Sequence, residues 1–405
     1  MEKQQTAKPA LRFPEFTDHW NNTKLSELLK EAKKRNTDLK YGKDEVLSVS
    51  GEMGIVNQIE HLGRSYAGVS VHQYHVVEVG DIVYTKSPLK ANPYGIIKQN
   101  KKKAGIVSTL YAVYNVKEEN AHGEFIEHYF SLDENTNRYL RPLVKKGAKN
   151  DMKISNAYVL QDKIFVPSVT EQKKITLFLN ILEKKIEQLK EKKRLLEEYK
   201  KGIMQKIFSQ ELRFKDDNGK EFSNWSKMKL SEKAKFFSGG TPLTTKKDFY
   251  IGNIPFIKSG EINKDKTEQF ISEKGLQSSS AKMVEIGDLL YALYGATSGE
   301  VSISKINGAI NQAVLCIRSE IFNKLYLLNY LQFHKVEIVE KYIQGGQGNL
   351  SADIVKKLLI PFPCSKEQEK IANFLSTIDD KINRTQAQIE NTMEYKKGLL
   401  QNMFV

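Results

Sequence analysis

Residues 171–208 align with residues 367–404 at a constant offset of 196, with no gap, and 15 of the 38 paired positions are identical. Glu171-Gln172 matches Glu367-Gln368, and Glu198-Tyr199-Lys200-Lys201-Gly202 matches Glu394-Tyr395-Lys396-Lys397-Gly398. Self-similarity of this kind decides architecture before local propensity does. Shorter echoes precede each copy. Leu11-Arg12-Phe13, Trp20 and Leu25-Ser26-Glu27 return as Leu212-Arg213-Phe214, Trp225 and Leu230-Ser231-Glu232. Val77-Glu78-Val79-Gly80-Asp81-Ile82-Val83-Tyr84 returns as Val284-Glu285-Ile286-Gly287-Asp288-Leu289-Leu290-Tyr291. The chain therefore reads as two copies of one unit, each a globular part followed by a closing segment, with boundaries expected at 1–168, 169–211, 212–362 and 363–405.

Each closing segment follows a proline, Pro167 or Pro363, and carries a polar residue and an acid at its start, which favours a helix there. Ile175, Leu182, Leu189, Leu196 and Ile203 recur every seven residues, with Leu179 and Ile186 as a second stripe. Ile371, Leu375, Ile378, Ile382, Ile389 and Met403 form the matching stripe of the second copy. This is coiled-coil spacing. Lys193 and Lys200 interrupt the first stripe, Thr385 and Thr392 the second. A lone helix of this kind is marginal in water, so each copy needs a partner. Antiparallel pairing of the two helices, giving a pseudo-twofold molecule, is expected. Pairing with another protein is the alternative, and Tyr199 and Tyr395 join the stripes as candidate contact residues.

The globular halves read as mixed α/β, giving an α+β chain. Strands are expected at Ile82–Tyr84, Ile106-Val107, Tyr111–Tyr114, Ile164–Val166, Ile254–Ile257, Asp288–Tyr291 and Val314–Ile317, and helices at Phe125–Leu132 and Lys324–Gln344. The Gly-Asp pairs read as turns. Several loops combine cations, amides and hydroxyls, the groups that touch phosphates and base edges. In the first half these are Lys86, Ser87, Asn92, Tyr94, Lys98, Lys101, Lys102, Lys103, Lys145, Lys146, Lys149 and Asn150. In the second they are Lys258, Ser259, Tyr294, Thr297, Ser298, Gln344, Gln347 and Asn349. With 63 Lys and Arg against 49 Asp and Glu, the net charge of +14 points to a polyanion.

Other classes lose ground. No phosphate-binding GxxxxGK[ST] loop, dinucleotide fingerprint or G-x-S-x-G elbow occurs. Asn92-Pro93-Tyr94 reads as a turn, and His72 and His75 lack a third ligand nearby. Cys316 and Cys364 form no C-x-x-C pair, so a reducing cytoplasm fits. The N-terminus has no apolar signal core and no run is long enough to span a bilayer.

In this order, the Leu-Arg-Phe…Trp openings, Gly-Asp strands, Pro…Glu-Gln…Ile…Phe-Leu helix starts and Glu-Tyr-Lys-Lys-Gly ends resemble the specificity (S) subunits of type I restriction–modification enzymes along essentially the whole chain. The resemblance implies two target recognition domains that read a bipartite, asymmetric site in double-stranded DNA. It implies long helices that space them and dock two modification (M) subunits. M would use S-adenosylmethionine to methylate adenine N6, and restriction (R) subunits would add ATP-driven translocation and magnesium-dependent cleavage. This chain would hold no catalytic residue, cofactor or metal. A stand-alone DNA-binding regulator is the rival reading.

Overall fold

In a computed structural model, residues 6–68, 70–89, 91–146, 152–343 and 349–405 are described. The chain divides into two compact units, Met1–Leu189 with Ala387–Val405, and Lys190–Gln386. Both long helices, Val169–Phe208 and Ser365–Met403, contribute to each unit.

The first unit centres on an antiparallel sheet in the order Leu29–Glu31, Tyr111–Val116, Ile82–Thr85, Ile96–Gln99. Alternation puts Ile82, Tyr84, Ala112 and Tyr114 into one core, and Val83 and Val113 into another on the opposite face. Trp20–Lys24 pairs with Lys163–Val166, which leads straight into the first long helix. The second unit repeats this plan. Its sheet runs Lys235–Ser238, Val314–Arg318, Leu289–Ala292, Val301–Ile303, all antiparallel. Ser226–Lys229 pairs with Leu359–Phe362 just before the second long helix. The echoes in the sequence are thus echoes of topology.

Each long helix keeps its stripe against protein. Ile175, Leu179 and Ile186 are buried, as are Ile371, Leu375, Ile378 and Ile389, while Leu182, Leu189, Leu196, Ile203 and Ile382 are half-buried. In the first unit Ile175 and Leu179 share a core with Leu399, Leu400 and Met403. In the second, Met204 and Ile207 share one with Ile371, Leu375 and Ile378. The start of one helix therefore packs beside the end of the other in each unit, which is antiparallel pairing. The threonines in the second stripe are tolerated because their hydroxyls bond the carbonyl one turn back: Thr385 to Lys381 at 2.8 Å and Thr392 to Gln388 at 2.6 Å. The first helix stops where Gln210 turns to φ 63°, a left-handed conformation that ends helices.

Contrary to expectation, Lys324–Gln344 is not one helix: Lys324–Phe333 and Lys335–Ile343 are separate, with His334 between them at φ −88°, ψ 8°. The His334 ring is held among Phe208, Tyr330 and Phe333, so the aromatic packing fixes a bend that the apolar periodicity alone conceals. Gln344 lies outside the described residues. Among the described residues, no helix is long and apolar enough to cross a membrane.

Candidate nucleic-acid interface

The site is built on anchors that sequence reading quoted as signatures without assigning them work. Arg12 donates from Nε and Nη2 to the two carboxylate oxygens of Glu171, each at 2.7 Å, and Trp20 Nε1 donates to Oε1 at 3.3 Å. In the second unit Arg213 grips Glu367 at 3.1 and 2.9 Å, and Trp225 Nε1 donates to it at 2.8 Å. Glu171 and Glu367 are both buried, and a buried carboxylate requires such partners. The neighbouring amides act in the same way. Gln172 Oε1 accepts from His122 N and Gln368 Oε1 from Asn323 N, at 2.8 and 2.7 Å, while their Nε2 atoms donate to Pro167 O and Pro363 O. Glu-Gln thus bolts the opening strand and the domain helix onto the first turn of each long helix. The signal available in the sequence was the co-occurrence of Arg, Trp and Glu-Gln in both copies.

The Gly-Asp pairs are turns, as expected. Gly80 and Gly287 sit at φ 97° and 95°, open to glycine without strain. Asp81 and Asp288 accept from the backbone N–H of Glu78 and Glu285, each at 2.8 Å. The two then diverge. Burial raises the Asp81 pKa, whereas the Arg318 guanidinium, bonded to Asp288 through two oxygens, outweighs burial and lowers that of Asp288.

The candidate DNA-contacting residues of the first unit separate into two groups. Lys86, exposed Ser87, Tyr94 and the hairpin Lys145-Lys146/Met152-Lys153 lie together: Lys86 Nζ donates to Asn156 at 2.6 Å, and Tyr84 OH donates to Tyr94 O at 2.7 Å and reaches Met152 Sδ at 3.9 Å. Burial lowers the Lys86 pKa. Asn92 is buried and donates to Asp133 at 2.8 Å, which anchors this loop. Lys98 and Lys101 instead approach the long helices. Lys101 is 2.7 Å from Glu127 and 3.8 Å from Glu183, and these carboxylates outweigh burial to raise its pKa. Burial lowers that of Lys98. Lys102 and Lys103 are exposed, with Lys103 3.7 Å from Glu60. Lys149 and Asn150 lie outside the described residues.

In the second unit three segments converge. The turn Ser259–Glu261, following half-buried Lys258, packs on Gly295–Thr297, and Leu350 N donates to Leu293 O at 3.1 Å, bringing exposed Asn349 beside Tyr294. Tyr294 and Thr297 are half-buried. Ser298 is buried and donates to Leu293 O at 3.1 Å, so it shapes the loop from within. Gly299 at φ 81° brings the chain so close to Val339 that a Cβ would stand 2.6 Å from Cγ2. Gln347 lies outside the described residues. Tyr199 and Tyr395 are 52% and 58% exposed, outside the packed stripes. The first candidate surface thus offers ammonium and hydroxyl groups, and the second adds an exposed amide at Asn349. Among the described residues, no group of three His, Cys, Asp or Glu is placed to hold a metal ion.

Residues 222–395 match the family profile described as the type I restriction modification DNA specificity domain. That match lies in the second copy of the repeat and its long helix. The chain is similar to the type I restriction enzyme MjaIX specificity subunit of Methanocaldococcus jannaschii, 28% identical over 211 residues that make up 49% of this chain and 48% of that one. The chain spans about half the length of the curated relatives it matches first, 48% and 46%. Two solved structures share the fold of this chain. The S subunit of a type I restriction-modification system from M. genitalium gives a TM-score of 0.60 at 14% identity, over 98% of this chain and 99% of that one. A chain from a type I R-M system, solved to address complex assembly and conformational transition, gives 0.57 at 19% identity, over 95% and 96%.

Proposed function

We propose that this chain is the sequence-reading subunit of a type I restriction–modification complex, recognising a bipartite, asymmetric DNA site and carrying no catalytic group of its own. The observation that carries this is the repetition, within one chain whose second copy matches the specificity domain, of a loop-bearing α/β domain bolted through Glu-Gln to a long paired helix. A reader at each copy, joined by stiff helices, suits a site of two half-sites at a fixed gap, as symmetric dimers suit theirs. The helices also offer the surfaces on which two M subunits would dock, with S-adenosylmethionine on M, and ATP and Mg2+ on R subunits. Such a complex works on cytoplasmic DNA. Cations in the loops would hold phosphates, and Asn349, Thr297 and Tyr294 would stand at base edges.

The test is co-expression with a type I methyltransferase (M) subunit from the same genome, followed by mapping of N6-methyladenine in host DNA. A two-part motif with one fixed gap is the expected outcome. A stable complex without such a motif would retain the partner and remove the DNA reading. With neither, a stand-alone DNA-binding regulator becomes the better account.

A further inference from the structure

Lys200 interrupts the apolar stripe of the first long helix, and the aligned Lys396 occupies the equivalent stripe position in the second. A lysine in an apolar seam is costly unless it is paired. Both are paired across the seam. Lys200 Nζ donates to both oxygens of Asp379 at 2.7 and 2.8 Å in the second unit, and Lys396 Nζ donates to Glu183 at 2.5 Å in the first. Their side chains are only 14% and 18% exposed. The offset of 196 that relates the copies carries Glu183 to Asp379 and Lys200 to Lys396, so the two pairs are one contact used twice, reciprocally.

Apolar heptads alone do not choose between registers seven residues apart, and polar residues at seam positions do. Slide the helices one heptad in one direction and Lys200 faces Gln386, Lys396 faces Lys190, Glu183 faces Met403 and Asp379 faces Ile207. Slide them the other way and Lys200 faces Ala372, Lys396 faces Thr176 and Glu183 faces Ile389, with only Asp379 meeting a cation, Lys193. One register satisfies all four charges. We propose that the crossed pairs Lys200–Asp379 and Lys396–Glu183 are positioning residues that lock the register of the helix pair, and thereby the number of base pairs between the two half-sites. The link to the gap rests on the DNA-reading function proposed above.

The pair Lys200–Asp379 gives the cleaner test, because Glu183 also lies 3.8 Å from both Lys101 and His128. The variants of the 405-residue chain are Lys200→Asp, Asp379→Lys and the double exchange, each purified for thermal unfolding and each co-expressed with the same methyltransferase subunit for methylation mapping. Each single reversal is expected to lower the unfolding midpoint by several degrees. Each should also cut methylation at the wild-type gap by about tenfold or more, or add a second gap, because it strands like charges in the seam. The exchange restores both readouts. Single reversals that keep one fully methylated gap, or an exchange no better than its parents, overturn the proposal. If the wild-type chain directs no two-part methylation, the function reading falls and the proposed gap control falls with it. Recovery of the unfolding midpoint by the exchange then still decides whether the pair sets register.

Discussion

Arg12 and Glu171 are 6% and 1% exposed at their side chains. Removing one partner of such a pair strands a buried charge, which costs far more than the intact pair contributes. Arg12→Ala is therefore expected to destabilise the first unit by roughly 3 kcal/mol in urea unfolding. Arg213→Ala should cost less, because that guanidinium is 21% exposed and water screens it. Equal losses would argue against burial as the cause. A second residue-scale expectation concerns pH. Burial holds both His75 and His128 at a pKa of about 4, against an ordinary 6.5. Nearby cations add to this for His75, while Glu183 opposes it for His128 without overturning it. Between those values the unfolded chain takes up protons that the folded chain refuses. Stability should thus be full above pH 6.5 and fall as pH drops toward 4. Urea midpoints at pH 7, 5.5 and 4.5 should show that decline, and it should flatten in the His75→Leu/His128→Gln double variant. An unchanged slope would remove these histidines from the account.

The long helices were legible as elements because their period resumes after each interruption: three- and four-residue steps run from Ile175 to Ile207 past Lys193 and Lys200, and from Ile371 to Met403 past Thr385 and Thr392. Their ends were less legible, because what they do there is tertiary. Phe404 inserts its ring 5.1 Å from Phe125 and 6.3 Å from Trp20 in the first unit. The aligned Phe208 meets Tyr330 at 5.2 Å and Phe333 at 5.6 Å in the second. Periodicity cannot announce such packing, since the receiving rings lie far away in sequence. The same limit hid the bend at His334 and made Lys200 look like a flaw in the stripe when Asp379 was its partner. Phe404 is 6% exposed, and truncating a buried phenylalanine costs about 3–5 kcal/mol. Phe404→Ala should fall in that range by chemical unfolding, with a smaller loss for half-buried Phe208→Ala. A loss below about 1 kcal/mol would mean that the helix end frays from its core.

At the scale of the whole molecule, duplication allows two loop surfaces to diverge while their supports stay alike. Arg12, Trp20 and Glu171 have counterparts in Arg213, Trp225 and Glu367 with the same bonds, whereas the loops share little beyond their places in the fold. The loop residues were legible only as a set. Composition marked ammonium, amide and hydroxyl groups, but it could not tell that Lys101 is engaged by Glu127, Asn92 by Asp133 and Ser298 by Leu293. What remains exposed differs in kind. The first unit presents Lys102, Lys103 and Lys145, and the second presents Asn349 beside half-buried Tyr294. Lysines at phosphates give salt-dependent affinity without sequence preference, while an amide at a base edge gives preference with little salt dependence. Replacing Lys102, Lys103 and Lys145 with Ala should weaken binding to every duplex and reduce the salt slope by about 0.9 for each phosphate left without its cation. Asn349→Ala should leave the slope unchanged and relax selectivity by about 1–3 kcal/mol at one half-site alone. Binding of the methyltransferase complex to a panel of single-base variants, titrated with salt, reads both quantities at once. Relaxation at both half-sites, or a slope that moves with Asn349 and not with the lysines, would reverse the division of labour assigned to the two surfaces.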